Sequence, residues 1–226
     1  MHIPDGFLSN EVALACAVPA IAAVGYGLRR ADVDLDDRRV PLLGVTAAFV
    51  FAAQMLNFPV AGGTSGHFLG AALAAVLLGP WLASLVLAVV LVVQAFVFAD
   101  GGITALGANV FTMGVVGGVL VGGLMLAARN ALPNTRGALL GVSAVGAWLA
   151  VVAGAAACSV ELALSGTVPL GTVLPAMLGV HVLIGVGEAV ITVAAVSAVL
   201  ATRPDLIAAD VPPLDARPLP ATGAPA

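Results

Sequence analysis

Residues 68–98 read FLGAALAAVLLGPWLASLVLAVVLVVQAFVF and carry no charged side chain. About 17–25 apolar residues are enough for one helix to cross the hydrocarbon core of a bilayer, so this run exceeds the length of one crossing. Gly79-Pro80 interrupts it, and a Pro that follows a Gly ends one helix and begins the next. The run therefore predicts a tight hairpin of two membrane helices, Phe68–Gly79 and Trp81–Phe98; a single kinked helix is the alternative.

The rest of the chain is similarly apolar. Of its 226 residues, 61% are hydrophobic and 9% are charged, whereas soluble domains carry about 25% charged residues. Lipid must therefore be the solvent for most of the surface. Together with the hairpin, five further apolar stretches predict an all-α, polytopic membrane protein with seven transmembrane helices. These stretches are Val12–Leu28, Val40–Leu56, Ala105–Ala128, Ala138–Leu164 and Val173–Ala201.

The basic residues set the expected orientation. All eight are arginines; with seven helices they fall on one side of the membrane, whereas six helices would scatter them to both sides. Basic loops face the cytoplasm, so we expect the N-terminus outside and the C-terminus inside. We also expect residues 1–202 to form one membrane domain and residues 203–226 to be a disordered cytoplasmic tail. The arginines are Arg29, Arg30, Arg38, Arg39, Arg129, Arg136, Arg203 and Arg217.

Composition also excludes several functions. The chain contains no lysine and therefore no Walker A loop of an ATPase, and it contains no HExxH motif of a zinc protease. The formal net charge of −4 argues against binding to nucleic acid. Cys16 and Cys158 lie in apolar stretches away from any Cys/His cluster, so we expect buried, inert thiols.

The N-terminus offers a set of nitrogen ligands. Residues 1–10 contain no Lys or Arg and so lack the cationic start of a secretory signal, and we expect Met1 to be retained. The amine of Met1, the amide nitrogen of His2 and the imidazole Nδ1 of His2 can close two fused chelate rings in one plane. His67, in a Gly-rich loop on the same outer side, can supply a fourth nitrogen. Tetragonal nitrogen ligation favours Ni²⁺ or Cu²⁺, and its formation releases protons.

Four motifs extend this observation along the chain: MHIPDGFL at residues 1–8, NFPVAGGTSGH at residues 57–67, FADGG with LGAN inside residues 94–109, and HVLIGVGE at residues 181–188. Together they resemble the substrate-binding membrane components of energy-coupling factor transporters for cobalt and nickel. The resemblance spans essentially the whole transmembrane region and leaves out the tail.

The resemblance implies a bundle of seven helices into which the N-terminal segment tucks from outside. It carries over the amine of Met1, the amide and imidazole of His2 and the imidazole of His67 as ligands of the transported ion, Ni²⁺ or Co²⁺. Planar nitrogen ligation leans toward nickel, but the choice stays open. The resemblance also implies a transporter subunit of the plasma membrane, not an enzyme. Its partners would be ATPase subunits, a coupling transmembrane subunit and, where needed, a separate small accessory membrane subunit.

Further polar residues are expected to support the site. His181 and Glu188 stand one heptad apart on one helix face, where we expect a supporting hydrogen bond from His181 and a polar packing contact from Glu188. Glu161, near the outer end of its helix, is expected to face water. Five residues are expected to orient the ligating loops: Asp5, Ser65, Gln94, Asp100 and Asn109.

Some interpretations stay open. Gly114, Gly118 and Gly122 recur at four-residue spacing, which indicates close helix packing either inside the bundle or against a partner subunit. The Gly63–Gly66 stretch, with Ser65, together with His181 also fits the Ser/His pair of a rhomboid-type intramembrane protease. A metal-independent structural or vitamin-binding membrane component is a further alternative, for which a residue added before Met1 would cost no function.

Overall fold

The computed structural model describes residues 1–36 and 39–208. These residues form seven helices, as the sequence predicts, and two short antiparallel strands, β1 (Phe58–Pro59) and β2 (Ser65–Gly66). The helices are α1 (Asn10–Asp34), α2 (Arg39–Gln54), α3 (Ala71–Leu78), α4 (Pro80–Val97), α5 (Leu106–Ala131), α6 (Arg136–Leu164) and α7 (Leu170–Thr202).

The prediction of seven membrane-spanning helices is wrong in its count. Among the described residues, five helices are long and apolar enough to cross a membrane: α1, α4, α5, α6 and α7. Helix α2 has 16 residues and α3 has 8, which gives α3 a length of about 12 Å at 1.5 Å per residue. All residues of α3 are buried inside the bundle. Its apolar sequence reflects a protein environment, because a helix enclosed by other helices does not need the length of the bilayer.

The break at Gly79-Pro80 forms the predicted hairpin. Gly79 has φ 87°, which glycine adopts without steric cost, and Pro80 begins α4. Along α5, successive contacts move forward along α3 and backward along α4. Helix α5 is therefore parallel to α3 and antiparallel to α4, so α3 and α4 are antiparallel to each other. The contacts are Gly117 with Ala71, Gly122 with Ala75, Gly118 with Ser84 and Gly122 with Pro80.

The glycine row of α5 serves packing inside the bundle. A Cβ atom at Gly114, Gly118 or Gly122 would lie between 2.9 and 3.2 Å from the nearest atom of α3 or α4. Small residues let helices approach this closely in lipid, so the interpretation as internal packing is confirmed. The middle of α5, Phe111–Val121, is π-helical, a form that is frequent at functional sites.

Loops and helix ends gather at two ends of the bundle. One end, named the N-terminal end, carries residues 1–9, both strands and the loops 98–105 and 165–169; there the hydroxyl of Thr167 donates to the carbonyl of Phe7. At the opposite end, the guanidinium of Arg136 donates to the carbonyl of Leu200. Every arginine of the described residues lies at this opposite end, in a loop or in the two helix turns nearest to it. The charge asymmetry on which the expected orientation depends is therefore present in the fold.

The beginning of the predicted tail lies within the described residues. Pro204–Leu206 form a 3₁₀ turn, and the buried Ala208 donates its N–H to the carbonyl of Val76 at 3.0 Å. The chain is thus held against α3 as far as residue 208. Residues 209–226 lie outside the described part of the chain.

Candidate metal centre

The N-terminal segment is inserted into the bundle as an extended chain. Met1 and Ile3 are fully buried, and His2 is 3% exposed. The side chain of Asn109 satisfies both backbone groups of Ile3: Oδ1 accepts from the N–H of Ile3 at 2.8 Å, and Nδ2 donates to its carbonyl at 3.1 Å. The N–H of Gly102 donates to the same carbonyl at 2.8 Å. A buried backbone must have such partners, so loop and helix residues take the place of a neighbouring strand.

Gly102 allows this approach because it has no side chain. A Cβ atom there would lie 2.3 Å from the backbone nitrogen of Asp5. The carboxylate of Asp5 accepts from the N–H and the hydroxyl of Thr104, at 2.7 and 2.5 Å, and these hydrogen bonds lower its pKa. Asp5 therefore ties the exposed part of the segment to the loop before α5 and does not point toward His2.

The amine of Met1 lies against β2. It donates to the carbonyl oxygen of Ser65 and, at 2.8 Å, to the Ser65 hydroxyl, which also accepts from the N–H of His2 at 3.1 Å. Burial lowers the pKa of the amine from 8.0 to about 5, and the neighbouring side chains of Cys158 and Asp100 oppose the shift only in part. A neutral amine donates two hydrogen bonds and keeps one lone pair, so Met1 offers a nitrogen ligand at neutral pH.

The ring of His2 presents Nδ1 for coordination. Nε2 lies 3.1 Å from the acceptor Oε1 of Gln94, so Nε2 carries the proton and Nδ1 carries the lone pair. Nδ1 is buried, makes no hydrogen bond and lies 3.3 Å from Oδ1 of Asp100. Burial, followed by the charge of the Met1 amine, lowers the pKa of His2 to about 3. The imidazole is therefore neutral, as metal coordination requires.

The ring of His67 lies on the ring of His2 in the complementary tautomer. The ring centroids are 4.4 Å apart with an interplanar angle of 25°. Nδ1 lies 2.7 Å from the carbonyl of Phe68, so Nδ1 donates and Nε2 holds the lone pair, buried and without a partner. Burial, the Met1 amine and His2 all lower the pKa of His67. Two neutral imidazoles with unpaired ring nitrogens thus meet beside the N-terminal amine.

Glu188 holds the chain just after His67, a role that the sequence interpretation did not foresee. Its two carboxylate oxygens accept from the N–H groups of Leu69, at 2.9 Å, and Gly70, at 2.5 Å. Nε2 of Gln54 donates to the carbonyl of Leu69 at 2.9 Å. Glu188 is thus more than the predicted packing contact. The sequence marks both Glu188 and Gln54 as unusual, since each is a polar residue in a largely apolar helix. It does not show that both bind the backbone that follows His67.

His181 and Glu161 are buried in the bundle. Nδ1 of His181 donates to the carbonyl of Met177 at 2.7 Å, and its Nε2 is unpaired. The hydroxyl of Ser65 has Met1 and His2 as its hydrogen-bond partners, so the structure forms no Ser/His pair of a serine protease among the described residues. Glu161 is 4% exposed and accepts from Thr112 at 2.7 Å; the expectation that it faces water is wrong because α5 covers it.

A vestibule of about 520 Å³ opens at the N-terminal end onto the ring of His2. Asp100 lies at its inner end, where Oδ2 accepts from Nδ2 of Asn57 at 2.8 Å. Burial raises the pKa of Asp100, against the opposing charge of the Met1 amine. The residues that line the vestibule include His2, Asp5, Asn57, Ser65, Asp100 and Gly102.

The donor set of this centre is made mainly of nitrogen. No group of three or more His, Cys, Asp and Glu side chains with metal-site geometry occurs in residues 1–36 and 39–208. A metal ion here would bind two backbone nitrogens, those of Met1 and His2, and two imidazoles, those of His2 and His67. The two unpaired ring nitrogens fit such an ion. The structure thus brings together all three predicted ligand residues, with Ser65, Gln94, Asp100 and Asn109 around them. The ring of His181 lies close to the backbone of Ser65, whereas the carboxylate of Asp5 is turned to Thr104.

Comparison with known proteins gives a consistent result. The family model CbiM, described as a cobalt uptake substrate-specific transmembrane region, matches residues 2–206. A relative from Haloquadratum walsbyi is 42% identical over 210 residues, which cover 92% of this chain and 93% of the relative. The fused nickel transport protein NikMN of Rhodobacter capsulatus is 37% identical over 231 residues, covering 92% of this chain and 64% of that one. A crystal structure of a truncated transition metal transporter superposes with a TM-score of 0.81 at 33% identity, covering 89% of this chain and 99% of that chain.

Proposed function

The chain belongs to the CbiM family of cobalt uptake substrate-specific transmembrane regions, and we propose that it is the substrate-capture subunit of an ATP-driven importer of Ni²⁺ or Co²⁺. It is a multi-pass membrane protein of cobalt and nickel transport. The proposed ligands are the amine of Met1, the amide nitrogen and Nδ1 of His2, and Nε2 of His67.

One observation carries the proposal: the N-terminal amine and two neutral imidazoles converge inside the bundle. Unpaired polar atoms at such depth cost free energy, about 1–3 kcal/mol each, unless a ligand pairs with them. Nδ1 of His2 and Nε2 of His67 are two such atoms, and both hold lone pairs that a cation can accept. Four nitrogen donors favour Ni²⁺ in tetragonal geometry, while the family description names cobalt, so the proposal includes both ions.

The proposed mechanism is capture followed by handover. The N-terminal end faces outside, the ion exchanges its waters for nitrogen ligands, and the binding of the amide nitrogen releases its proton. The charge asymmetry of the loops supports this orientation. Separate ATPase subunits and a coupling transmembrane subunit, with a small accessory membrane subunit where needed, would then open the site toward the cytoplasm.

The experiment is a calorimetric titration of the purified protein with Ni²⁺ and Co²⁺. Two variants remove the chelate: His2→Gln, whose bulky second residue keeps Met1 in place, and His67→Ala. We expect binding of one ion per chain in the wild type and a loss of affinity of more than about 100-fold in both variants, because removing a ligand costs more than removing its supporting partner. The variant Thr192→Ala, which removes a buried polar group of α7 further along the helix, is the control, and we expect it to retain stoichiometric binding. Unchanged affinity in His2→Gln would refute the N-terminal chelate.

A further inference from the structure

Two hydrogen-bond acceptors face each other at the inner end of the vestibule. Oδ1 of Asp100 lies 3.3 Å from Nδ1 of His2, and no hydrogen bond joins them. Since Nε2 of His2 donates to Gln94, Nδ1 presents its lone pair to an oxygen that also only accepts. This contact is unfavourable by itself, and a cation that binds both atoms would make it favourable.

The surroundings of Asp100 fix this oxygen in place. Oδ2 accepts from Asn57 at 2.8 Å, and the backbone N–H of Asp100 donates to the carbonyl of Gln94 at 3.0 Å. The preceding residue, Ala99, has φ 52°, the one positive φ of a non-glycine residue among those described. A residue is held in this sparsely populated region only when its surroundings determine it, so the position of Asp100 is imposed by the fold. Oδ1 remains without a hydrogen bond in the described residues, and the side chain is 18% exposed to the vestibule.

The vestibule is large enough for an ion that still carries water. Six first-shell waters occupy about 180 Å³ at about 30 Å³ each. The vestibule has about 520 Å³, and no arginine lines it. A hydrated divalent cation can therefore reach Asp100 before it loses its waters, whereas the nitrogen atoms of Met1 and His67 are fully buried behind it.

We propose that Asp100 Oδ1 is the first protein ligand of the incoming ion and remains coordinated as an oxygen ligand beside Nδ1 of His2. The carboxylate replaces one water of the hydrated cation in the vestibule, and the nitrogen ligands then replace further waters one by one. Carboxylate oxygen suits a hydrated cation better than soft ligands do. An oxygen ligand added to the four nitrogens would also suit Co²⁺. This inference rests on the proposed nitrogen site and deepens it.

The test compares Asp100→Asn with Glu11→Gln. Asparagine keeps the shape of Asp100 and its place beside Asn57, whereas Glu11 is an exposed carboxylate at the same end, in the first turn of α1. Two quantities are measured: the rate at which the protein takes Ni²⁺ from a metallochromic indicator at low ionic strength, and the infrared difference spectrum between metal-loaded and metal-free protein. We expect a carboxylate band in the wild-type difference spectrum that Asp100→Asn loses and that Glu11→Gln and Asp100→Glu retain.

The rates give the second criterion. We expect capture by Asp100→Asn to be slower by at least about tenfold, and capture by Glu11→Gln to change by less than about threefold, because loss of a distant charge alters only long-range attraction. A carboxylate band that persists in Asp100→Asn, or equal rates for the two variants, would overturn the inference. In that case stoichiometric Ni²⁺ binding by the wild type would leave the nitrogen site intact, whereas absence of binding by the wild type would refute the proposed function itself.

Discussion

At the scale of single residues, Ser65 joins the ligating groups to the bundle. Its hydroxyl accepts from the amine of Met1 and from the amide of His2, and its carbonyl also accepts from the amine. The neighbouring Thr64 points its hydroxyl at the sulfur of Cys158, 3.7 Å away, and makes no hydrogen bond to the ligands. The two adjacent hydroxyls therefore serve different contacts, and they can be separated by mutation.

We expect Ser65→Ala to weaken Ni²⁺ binding by about tenfold. The His2 amide has no proton once the metal is bound, so the hydrogen bond that the variant loses in the bound state is the one from the Met1 amine, worth about 0.5–1.5 kcal/mol; 1.4 kcal/mol corresponds to a factor of ten in affinity. Isothermal titration of the purified protein measures the change. Thr64→Ala is the control, for which we expect a change of less than about threefold. Equal effects of the two substitutions would show that the Ser65 hydroxyl does not position the N-terminus.

The depressed pKa of the amine predicts how many protons metal binding releases. With a pKa of about 5, the folded amine is already neutral at pH 7, so only the amide of His2 gives up a proton. We expect about one proton released per Ni²⁺ at pH 7, and about two for a synthetic peptide of residues 1–8, whose amine has an ordinary pKa near 8. The affinity of the protein should rise about tenfold per pH unit between pH 6 and 8.

Titrations in buffers of different ionisation enthalpy measure this number. Release of two protons by the protein would mean that its resting amine is charged. The sign of the coupling to folding follows from the same shift. The unfolded amine binds a proton below pH 8.0 and the folded amine only below about pH 5. Insertion of the segment is therefore favoured as pH rises through this window and is weakened as pH falls through it.

At the scale of elements, three helices meet on the chain that follows His67. Glu188 of α7 and Gln54 of α2 bind the backbone of residues 69–70, where α3 begins. Gly70 has φ 75°, and a side chain there would lie 2.7 Å from Val50 of α2. The N-cap residue of α3, Gly70, has no side chain, and the Glu188 carboxylate is the acceptor for its N–H and for the N–H of Leu69 before it. These contacts fix the position of the His67 loop relative to α2 and α7.

We expect Glu188→Gln to weaken Ni²⁺ binding by at least about tenfold and to lower the melting temperature, because one of two buried N–H groups loses its acceptor at a cost of about 1–3 kcal/mol. Thr192→Ala, one turn further along the same buried face of α7, is the matched control. Calorimetry and thermal unfolding in detergent measure both quantities. A Glu188→Gln protein that binds Ni²⁺ as tightly as the control would show that the His67 loop is held without this carboxylate.

At the scale of the whole molecule, the two ends of the bundle carry different kinds of residues. The N-terminal end gathers the proposed ligands and the vestibule, and the opposite end gathers the described arginines. From the positive-inside rule we expect the vestibule to lie outside the cell. The proposed import requires this orientation, because the ion would enter from the side opposite to ATP.

Labelling of intact cells with a membrane-impermeant maleimide tests this orientation. We expect Glu11→Cys, at the N-terminal end, to react in intact cells, and Ala131→Cys, at the end of α5, to react only after permeabilisation. The wild type is the control, since both of its cysteines are buried. The reverse pattern of labelling would place the vestibule in the cytoplasm and contradict uptake.

The apolar stretches and the Gly79-Pro80 break were enough to predict the helices and the hairpin. The positions of the arginines along the sequence were enough to predict that they lie at one end of the bundle. The chelating geometry of Met1 and His2 also follows from covalent structure alone, because three of the nitrogens belong to two consecutive residues. The tertiary structure alone decided that α3 is enclosed by protein, that Glu188 and Gln54 fix the loop after His67, and that Asp100 faces Nδ1 of His2. The physical reason is that the local sequence shows whether a side chain is apolar or polar, but not whether lipid, protein or a ligand surrounds it. Those surroundings are formed by residues that lie tens of positions away in the chain.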